Sequence, residues 1–244
     1  MIGKTITTFP ALTEGILLKR YKRFLADVRL PDGQEITIHC PNTGSMKNCA
    51  EPGWQIWYST SDNPHRKYPH TWELARTHRG DYIGVNTGRA NDIIAEGIER
   101  GRVETLRGYS SIRKEVSYGD EKSRIDLLLT SAHLKDCYVE IKSVTLLEQP
   151  VSHGIGFFPD AISERGSRHL RELARVATSG KRAVLCFCVQ HSGIQEVRPA
   201  AHIDPDYANA LAIAMKAGVE VIACKVRLST RSSTVGRLLP VMIV

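Results

Sequence analysis

The hydrophobic pattern of this chain changes character once, near Ile83. Before it, apolar residues fall in short runs over residues 14–20, 21–30, 35–40, 54–60 and 71–77. Short runs of this kind, rich in β-branched and aromatic residues, predict strands. Pro31-Asp32-Gly33, Pro41-Asn42-Thr43-Gly44 and Glu51-Pro52-Gly53 lie between them. Proline fixes φ and glycine accepts positive φ, so each predicts a turn. About five short strands in this length predict a small barrel, and an OB-fold is the expected form.

After Ile83 the pattern predicts helices alternating with strands. Residues 86–99 carry Ile93, Ile94, Ala95, Gly97 and Ile98 between polar positions, a helix with Asn91 expected to cap its main part. Strands follow over 113–118, 123–130 and 137–144, the last two joined by a turn over 131–136. A Gly- and Pro-containing loop covers 146–159. A helix over 163–178 ends at Gly180, and 183–189 is a nearly continuous apolar strand. A helix over 207–217 stops at Gly218, a strand covers 219–226, and 238–244 adds a last one. The expected architecture is α/β: an OB-fold barrel over 1–82, then an α/β domain with a mixed central sheet over 83–244.

Three charges interrupt the greasy background of the two central strands: Asp126, Glu140 and Lys142. Side chains alternate across a strand, so Glu140 and Lys142 share a face. A hairpin brings Asp126 beside them. Two carboxylates and an ammonium on a mostly buried sheet are costly unless compensated. A divalent cation compensates them, and Mg²⁺ prefers a couple of carboxylates plus waters. Asp, a spacer and Glu-x-Lys resemble the signature of the PD-(D/E)XK nuclease superfamily, with Ile125 where the superfamily name has proline. The resemblance implies that Asp126 and Glu140 hold Mg²⁺ or Mn²⁺, with the Ile141 carbonyl as a further oxygen. It implies that Lys142 orients the attacking water. Taken alone, the motif is better read as a surface strand with a Glu–Lys pair and an Asp at a strand entrance. The order helix, three strands, helix, strand around it is that of the superfamily core, and this favours the nuclease-like reading.

Charge points the same way. The 244 residues carry a net charge of +7, which favours an acidic partner such as nucleic acid. Lys19, Arg20, Lys22 and Arg23 are interleaved with Tyr21 and Phe24, a mixture suited to single strands, though Phe24 itself is expected in the core. Arg66, Lys67 and Tyr68 repeat the mixture in a Pro-flanked stretch, where binding and a plain solvated loop are balanced. On the second helix Arg168, Arg171 and Arg175 share a side opposite Leu170, Leu173, Ala174 and Ala177, with Arg165, Ser163 and Ser167 near its start. Such a stripe can track a phosphate backbone. Asn42, Gly44 and Lys47 could form an anion-holding turn, but a structural turn is the stronger reading. Asp160 has three readings that the sequence does not separate: metal ligand, helix-entrance acid or arginine partner. For Glu96 and Glu115 an ordinary ion pair is expected.

The six cysteines are scattered without a C-x-x-C pair, which suits reduced core thiols, and His39-Cys40 is a poor zinc candidate. No apolar run reaches membrane-spanning length, and no charged-then-apolar N-terminal segment signals export. A cytoplasmic location is expected.

Several longer segments resemble one family. They are Arg23-Phe-Leu-Ala-Asp-Val, His39-Cys-Pro-Asn-Thr-Gly-Ser-Met, Ser123-Arg-Ile-Asp, Val139-Glu-Ile-Lys-Ser-Val-Thr-Leu and Phe158-Pro-Asp-Ala-Ile-Ser-Glu-Arg-Gly-Ser-Arg-His-Leu. Over nearly the whole chain the sequence resembles the bacterial sugar fermentation stimulation protein A family. The resemblance implies an OB-fold, a PD-(D/E)XK-like domain and non-sequence-specific DNA binding, in a family described as a regulator of maltose metabolism. The loop over 150–157 is longer than expected of that family. Two functions follow: a metal-dependent DNA-processing enzyme, or a DNA-binding regulator without turnover. No helix-turn-helix supports operator reading, and no carboxylate pair is placed for glycoside hydrolysis. A homo-oligomer remains open.

Overall fold

The computed structural model describes residues 7–119 and 123–243, the side chain of Ser152 excepted. Strand β1 (Leu12–Tyr21) pairs antiparallel with β2 (Leu25–Arg29), and β2 with β3 (Glu35–His39). The other edge of β1 takes β4 (Gln55–Thr60), followed by β5 (His70–Arg76) and β6 (Tyr82–Gly84). His39 opposite Thr71 joins β3 to β5 and closes an OB-like five-stranded barrel. The sixth strand carries the barrel sheet to Gly84, past the boundary expected at Tyr82. Inside the barrel Leu17, Val28, Ile38, Ile56 and Trp72 are wholly buried. Each such aliphatic side chain contributes about 1.5–3 kcal/mol relative to exposure.

The register also decides which loops meet. Leu25 lies opposite His39, and His39 opposite Thr71. The turn over 22–24 and the loop leaving β3 therefore emerge at one end of the barrel, while the loop over 61–69 leaves from the end where β1 begins, since Ser59 lies opposite Leu12. Phe24 sits at the tip of that turn and is 49% exposed. Its expected place in the core is corrected. Lys22 and Arg23 adopt positive φ there, which turns the strand before Phe24 can point inward.

Helix α1 (Ala90–Glu99) follows a short 3₁₀ turn, Thr87–Arg89. Asn91 does not cap α1: its N-cap position is Arg89, which makes no side-chain cap bond, while Asn86 caps the 3₁₀ turn by accepting the Gly88 N–H. Strands β7 (Ser111–Tyr118), β8 (Ser123–Thr130) and β9 (Cys137–Val144) form a meander. Short strands β10 (Leu146–Leu147) and β11 (Ile155–Phe158) lead to helix α2 (Glu164–Thr178). Ser163 caps α2 by accepting the Gly166 N–H, and Gly180 ends it at φ +86°. Then come β12 (Arg182–Val189), β13 (Glu196–Pro199), α3 (Pro205–Lys216), β14 (Glu220–Leu228) and β15 (Ser233–Leu239).

The central sheet runs β15-β14-β12-β9-β8-β7, parallel at β9–β12–β14 and antiparallel elsewhere. It has a core on each face. Ile93, Ile94 and Ile98 of α1 pack with Leu127, Val139 and Val184. Leu170 and Leu173 of α2 and Tyr207 and Leu211 of α3 pack with Ile125, Leu185 and Phe187 on the other. All six cysteines are buried and unpaired. The last strand lies earlier than the expected 238–244; its partner β14 sets its register, and Val244 falls outside the described residues. A small sheet of β10, β11 and β13 occupies what reads as loop, since strands of two to four residues carry no visible period. Among the described residues no helix is long and apolar enough to cross a membrane.

Candidate active site

The β8–β9 register sets the site. Leu127 faces Val139 across the hairpin, so the next positions outward, Asp126 and Glu140, are neighbours. Asp126 is held at both oxygens. Its Oδ2 accepts the Ile141 N–H at 2.6 Å, and its Oδ1 accepts the Asn91 amide at 2.9 Å. The same Asn91 amide reaches Glu115 Oε1 at 3.3 Å. Burial, then the negative charge of Glu140, pushes the Asp126 carboxyl up to about 6, against the two hydrogen bonds and Lys142.

Glu140 is 2% exposed. Its Oε1 accepts Lys142 Nζ at 2.6 Å and the Nδ1 of His169. Arg165 Nε donates to His169 Nε2 at 3.3 Å, so that nitrogen is the acceptor and Nδ1 carries the proton. Burial pushes the Glu140 carboxyl up, but the His169 bond and the Lys142 charge prevail and hold it below the ordinary range. The other oxygen, Oε2, is buried with no hydrogen-bond partner. Tyr118 and Tyr207, both also without a hydroxyl partner, have their phenols pushed up by burial and by the Glu140 charge. The two acids are therefore unlike: Asp126 is satisfied by neutral donors, and Glu140 has the Lys142 ammonium and the His169 N–H on one oxygen and, among the described residues, nothing on the other.

A cleft of about 340 Å³ lies beside this pair; neither carboxylate lines it, but Asn91 and Lys142, which donate to them, do. Ile141, Lys142 and Asn91 line it from the α/β domain, and Asn42, Thr43 and Gly44 from the barrel. Among the described residues no three His, Cys, Asp or Glu side chains converge on one point, and His39-Cys40 forms no such cluster. Asp126 and Glu140 are the side chains here that could hold a cation, with water completing its shell.

The other residues singled out in the sequence separate into groups. Lys22 and Arg23 are exposed on the turn at the barrel end where Asn42–Gly44 emerges, whereas Arg66 and Lys67 are exposed and Tyr68 half-buried on the loop joining β4 to β5. Lys19 lies on β1 and pairs with Asp27 at 3.3 Å. Arg20 does not present its guanidinium for binding. It donates to the carbonyls of Arg23, Asn42, Gly44 and Ser45, and its expected nucleic-acid role is replaced by that of a loop brace. On α2, Arg165 reaches the site through His169. Arg168 is half-buried and Arg171 exposed, while Arg175 donates to Glu172 at 2.5 Å. Glu172, one helical turn before Arg175, is wholly buried.

Asp160 accepts Ser45 Oγ and the Met46 N–H, both at 3.1 Å. It is a clasp on the barrel loop. Lys47 pairs with Glu148 at 2.6 Å. Glu96 binds Thr7 and Arg100, away from the site. Glu115 sits at φ +54° within β7, in register with Asp126. Sequence reasoning missed Asn91 as an Asp126 partner and missed His169 altogether. The only signal for His169 was its place one helical turn after Arg165, at the edge of the apolar stripe.

Residues 18–85 match the family described as the SfsA N-terminal OB domain, and residues 88–232 the sugar fermentation stimulation protein RE domain. A sugar fermentation stimulation protein homolog from Shewanella frigidimarina is 56% identical over 234 residues, covering 96% of this chain and 98% of its own. One from Shewanella baltica is 58% identical over 220 residues, covering 90% and 92%. Among solved structures, Pyrococcus furiosus SfsA in complex with Ca²⁺ superposes with a TM-score of 0.86 at 27% identity, covering 99% of this chain and all of that one. With its two domains accounted for and relatives matched end to end, this chain belongs to the sugar fermentation stimulation protein family, SfsA.

Proposed function

We propose that this protein is a divalent-cation-dependent nuclease that binds DNA without sequence specificity. The observation that carries the reading is the Glu140 carboxylate: one oxygen buried without a partner, beside Asp126 and next to a cleft lined by Lys142. Two adjacent acids with one orphaned oxygen fit a magnesium-type ion, and the solved Pyrococcus relative is described with Ca²⁺. Asp126 and Glu140 are the residues that would hold the ion. When bound, such an ion supplies charge stabilisation to the phosphate.

The chain's own groups do the rest. The Ile141 N–H and Asn91 fix the orientation of Asp126. His169 holds Glu140 ionised. Lys142, at the cleft surface, orients a water for attack and stabilises its hydroxide form. The basic barrel loops attract the strand by releasing its counterions.

One observation favours the second reading, a DNA-binding regulator without turnover. Lys142 donates to Glu140, so its ammonium is already engaged by a carboxylate rather than held free for a water. A cleavage assay on single-stranded, double-stranded and branched DNA separates the two. The nuclease cleaves with Mg²⁺ or Mn²⁺ and stops with chelator. Lys142→Ala and Asp126→Ala lose at least about 10²-fold in rate, while Lys142→Ala retains DNA affinity. Equal residual nicking by wild type and both variants defeats the nuclease reading.

A further inference from the structure

The barrel loop that walls the Lys142 cleft has no part in the chemistry above, yet it is braced from two sides. Arg20 takes its carbonyls: Asn42 and Gly44 at 2.9 Å and Ser45 at 3.3 Å. Asp160, from the other domain, takes the Ser45 hydroxyl and the Met46 N–H. The approach is so close that a Cβ on Gly44 would stand 2.6 Å from Asp160 Oδ2. Only glycine permits it. A surface turn of this size does not need two charged side chains to hold its shape.

The bracing leaves a set of donors with no acceptor. Asn42 is 6% exposed, and its Oδ1 accepts the Gly44 N–H at 2.9 Å. That bond assigns the amide, so Nδ2 is the other end. Nδ2 has no partner among the described residues, and Asn42 lines the cleft. The residue is buried but this nitrogen is not sealed from solvent, which leaves it available to an acceptor entering the cleft. The Thr43 hydroxyl beside it also has no partner among the described residues, and Thr43 is exposed on the same cleft. Lys142 completes the lining with an ammonium. The one acid at the rim, Asp160, is already capped by its two donors. Two neutral donors and an ammonium facing one cleft suit the oxygens of a phosphate.

We propose that Asn42 and Thr43 bind a phosphate of the nucleic-acid strand next to the one presented to Lys142, so that the catalytic cleft is shared by both domains. The proposal rests on the phosphodiester reading above. In it Arg20 and Asp160 are positioning residues for the loop, and Gly44 is the residue that lets Asp160 reach it.

The test measures affinity for a short fluorescein-labelled DNA oligonucleotide in chelator, with cleavage measured separately. Asn42→Asp keeps the oxygen that caps Gly44 and replaces the free donor with an anion. It weakens binding about tenfold or more, with thermal stability close to wild type. Thr43→Val removes only a hydroxyl and weakens binding about threefold. Gln34→Glu adds the same charge at the far end of the barrel and leaves affinity unchanged. Asp160→Ala raises KM at constant kcat, and Asp160→Asn, which keeps one acceptor oxygen, recovers most of the loss.

Wild-type affinity in both Asn42→Asp and Thr43→Val overturns the proposal, whatever the cleavage result. If Asn42→Asp does not fold, Thr43→Val decides alone, since its side chain is exposed and bonds nothing. A wild type that binds through these residues and never cleaves keeps the phosphate site and removes the nuclease reading instead.

Discussion

His169 and Lys142 donate to the same oxygen of Glu140 and leave its twin without a partner. The helix thereby reaches across the sheet to orient one carboxylate. His169→Ala removes a donor from a buried anion, a loss of about 1–3 kcal/mol. Urea denaturation is expected to show that loss, and cleavage is expected to fall because the carboxylate is free to rotate. Unchanged stability would mean that Lys142 alone suffices to hold Glu140.

How much of this was legible beforehand depends on distance along the chain. Strands β8 and β9 occupy the expected positions, since their apolar runs are bounded by turns and hold Asp126, Glu140 and Lys142 within one hairpin. His169 was invisible because its partner lies on a strand across the core, and a helical wheel does not say what a face meets. Arg20 read as a binding cation because its four carbonyl acceptors exist only after the loop folds back. Phe24 read as core because local alternation is blind to two successive positive φ angles. The small sheet of β10, β11 and β13 depends on pairing β11 with a segment about forty residues away, and its strands are too short to show a period.

Cation binding has a signature that needs no substrate. Glu140→Gln keeps an oxygen for Lys142 and His169 and replaces the unpartnered oxygen with an amide. Wild type is expected to melt higher in excess Mg²⁺ or Mn²⁺, by about 2.7 kcal/mol of added stability at a hundred times Kd. Glu140→Gln is expected to show no such shift in the same scan. An equal shift in both would place the ion elsewhere.

The basic loops of the barrel are expected to act through phosphates. Arg66 and Lys67 lie exposed on the loop over 61–69, which joins β4 to β5. Removing both, as Arg66→Ala with Lys67→Ala, should weaken DNA binding about equally for all sequences. The slope of log affinity against log salt should fall by about 2. Fluorescence anisotropy across a salt series reads both, and an unchanged slope would leave these residues solvated and idle.

Glu73 and Arg89 join the barrel to the turn that starts α1. Arg89 Nε donates to Glu73 Oε2 at 2.6 Å and Nη2 to Oε1 at 3.1 Å. Glu73 is buried and also receives Ser59 and Asn86. Arg89→Ala leaves an uncompensated buried carboxylate, at a cost of about 3–5 kcal/mol. Arg89→Lys restores the charge but not the fork and should recover only part. Chemical denaturation distinguishes the three proteins. A small effect in Arg89→Ala would mean that the neutral donors already satisfy Glu73.

His191 sits where β12 leaves the sheet and bridges Ile83 of the barrel. Its Nδ1 accepts the Gly193 N–H, which keeps the ring neutral. Burial pushes it down to about 4 from 6.5; Lys225 adds to the effect and Asp81 opposes it. Between those values the unfolded chain binds a proton that the folded chain does not. Stability therefore rises with pH across the window, is complete above about 6.5 and is lost as pH falls towards 4. At about 1.36 kcal/mol per unit, the loss is on the order of 3 kcal/mol. Denaturation midpoints followed from neutral to acid pH should show this slope, and His191→Gln, which carries no titrating ring, should flatten it. A slope that survives the substitution would assign the acid sensitivity to other groups, with the paired carboxylates first among them.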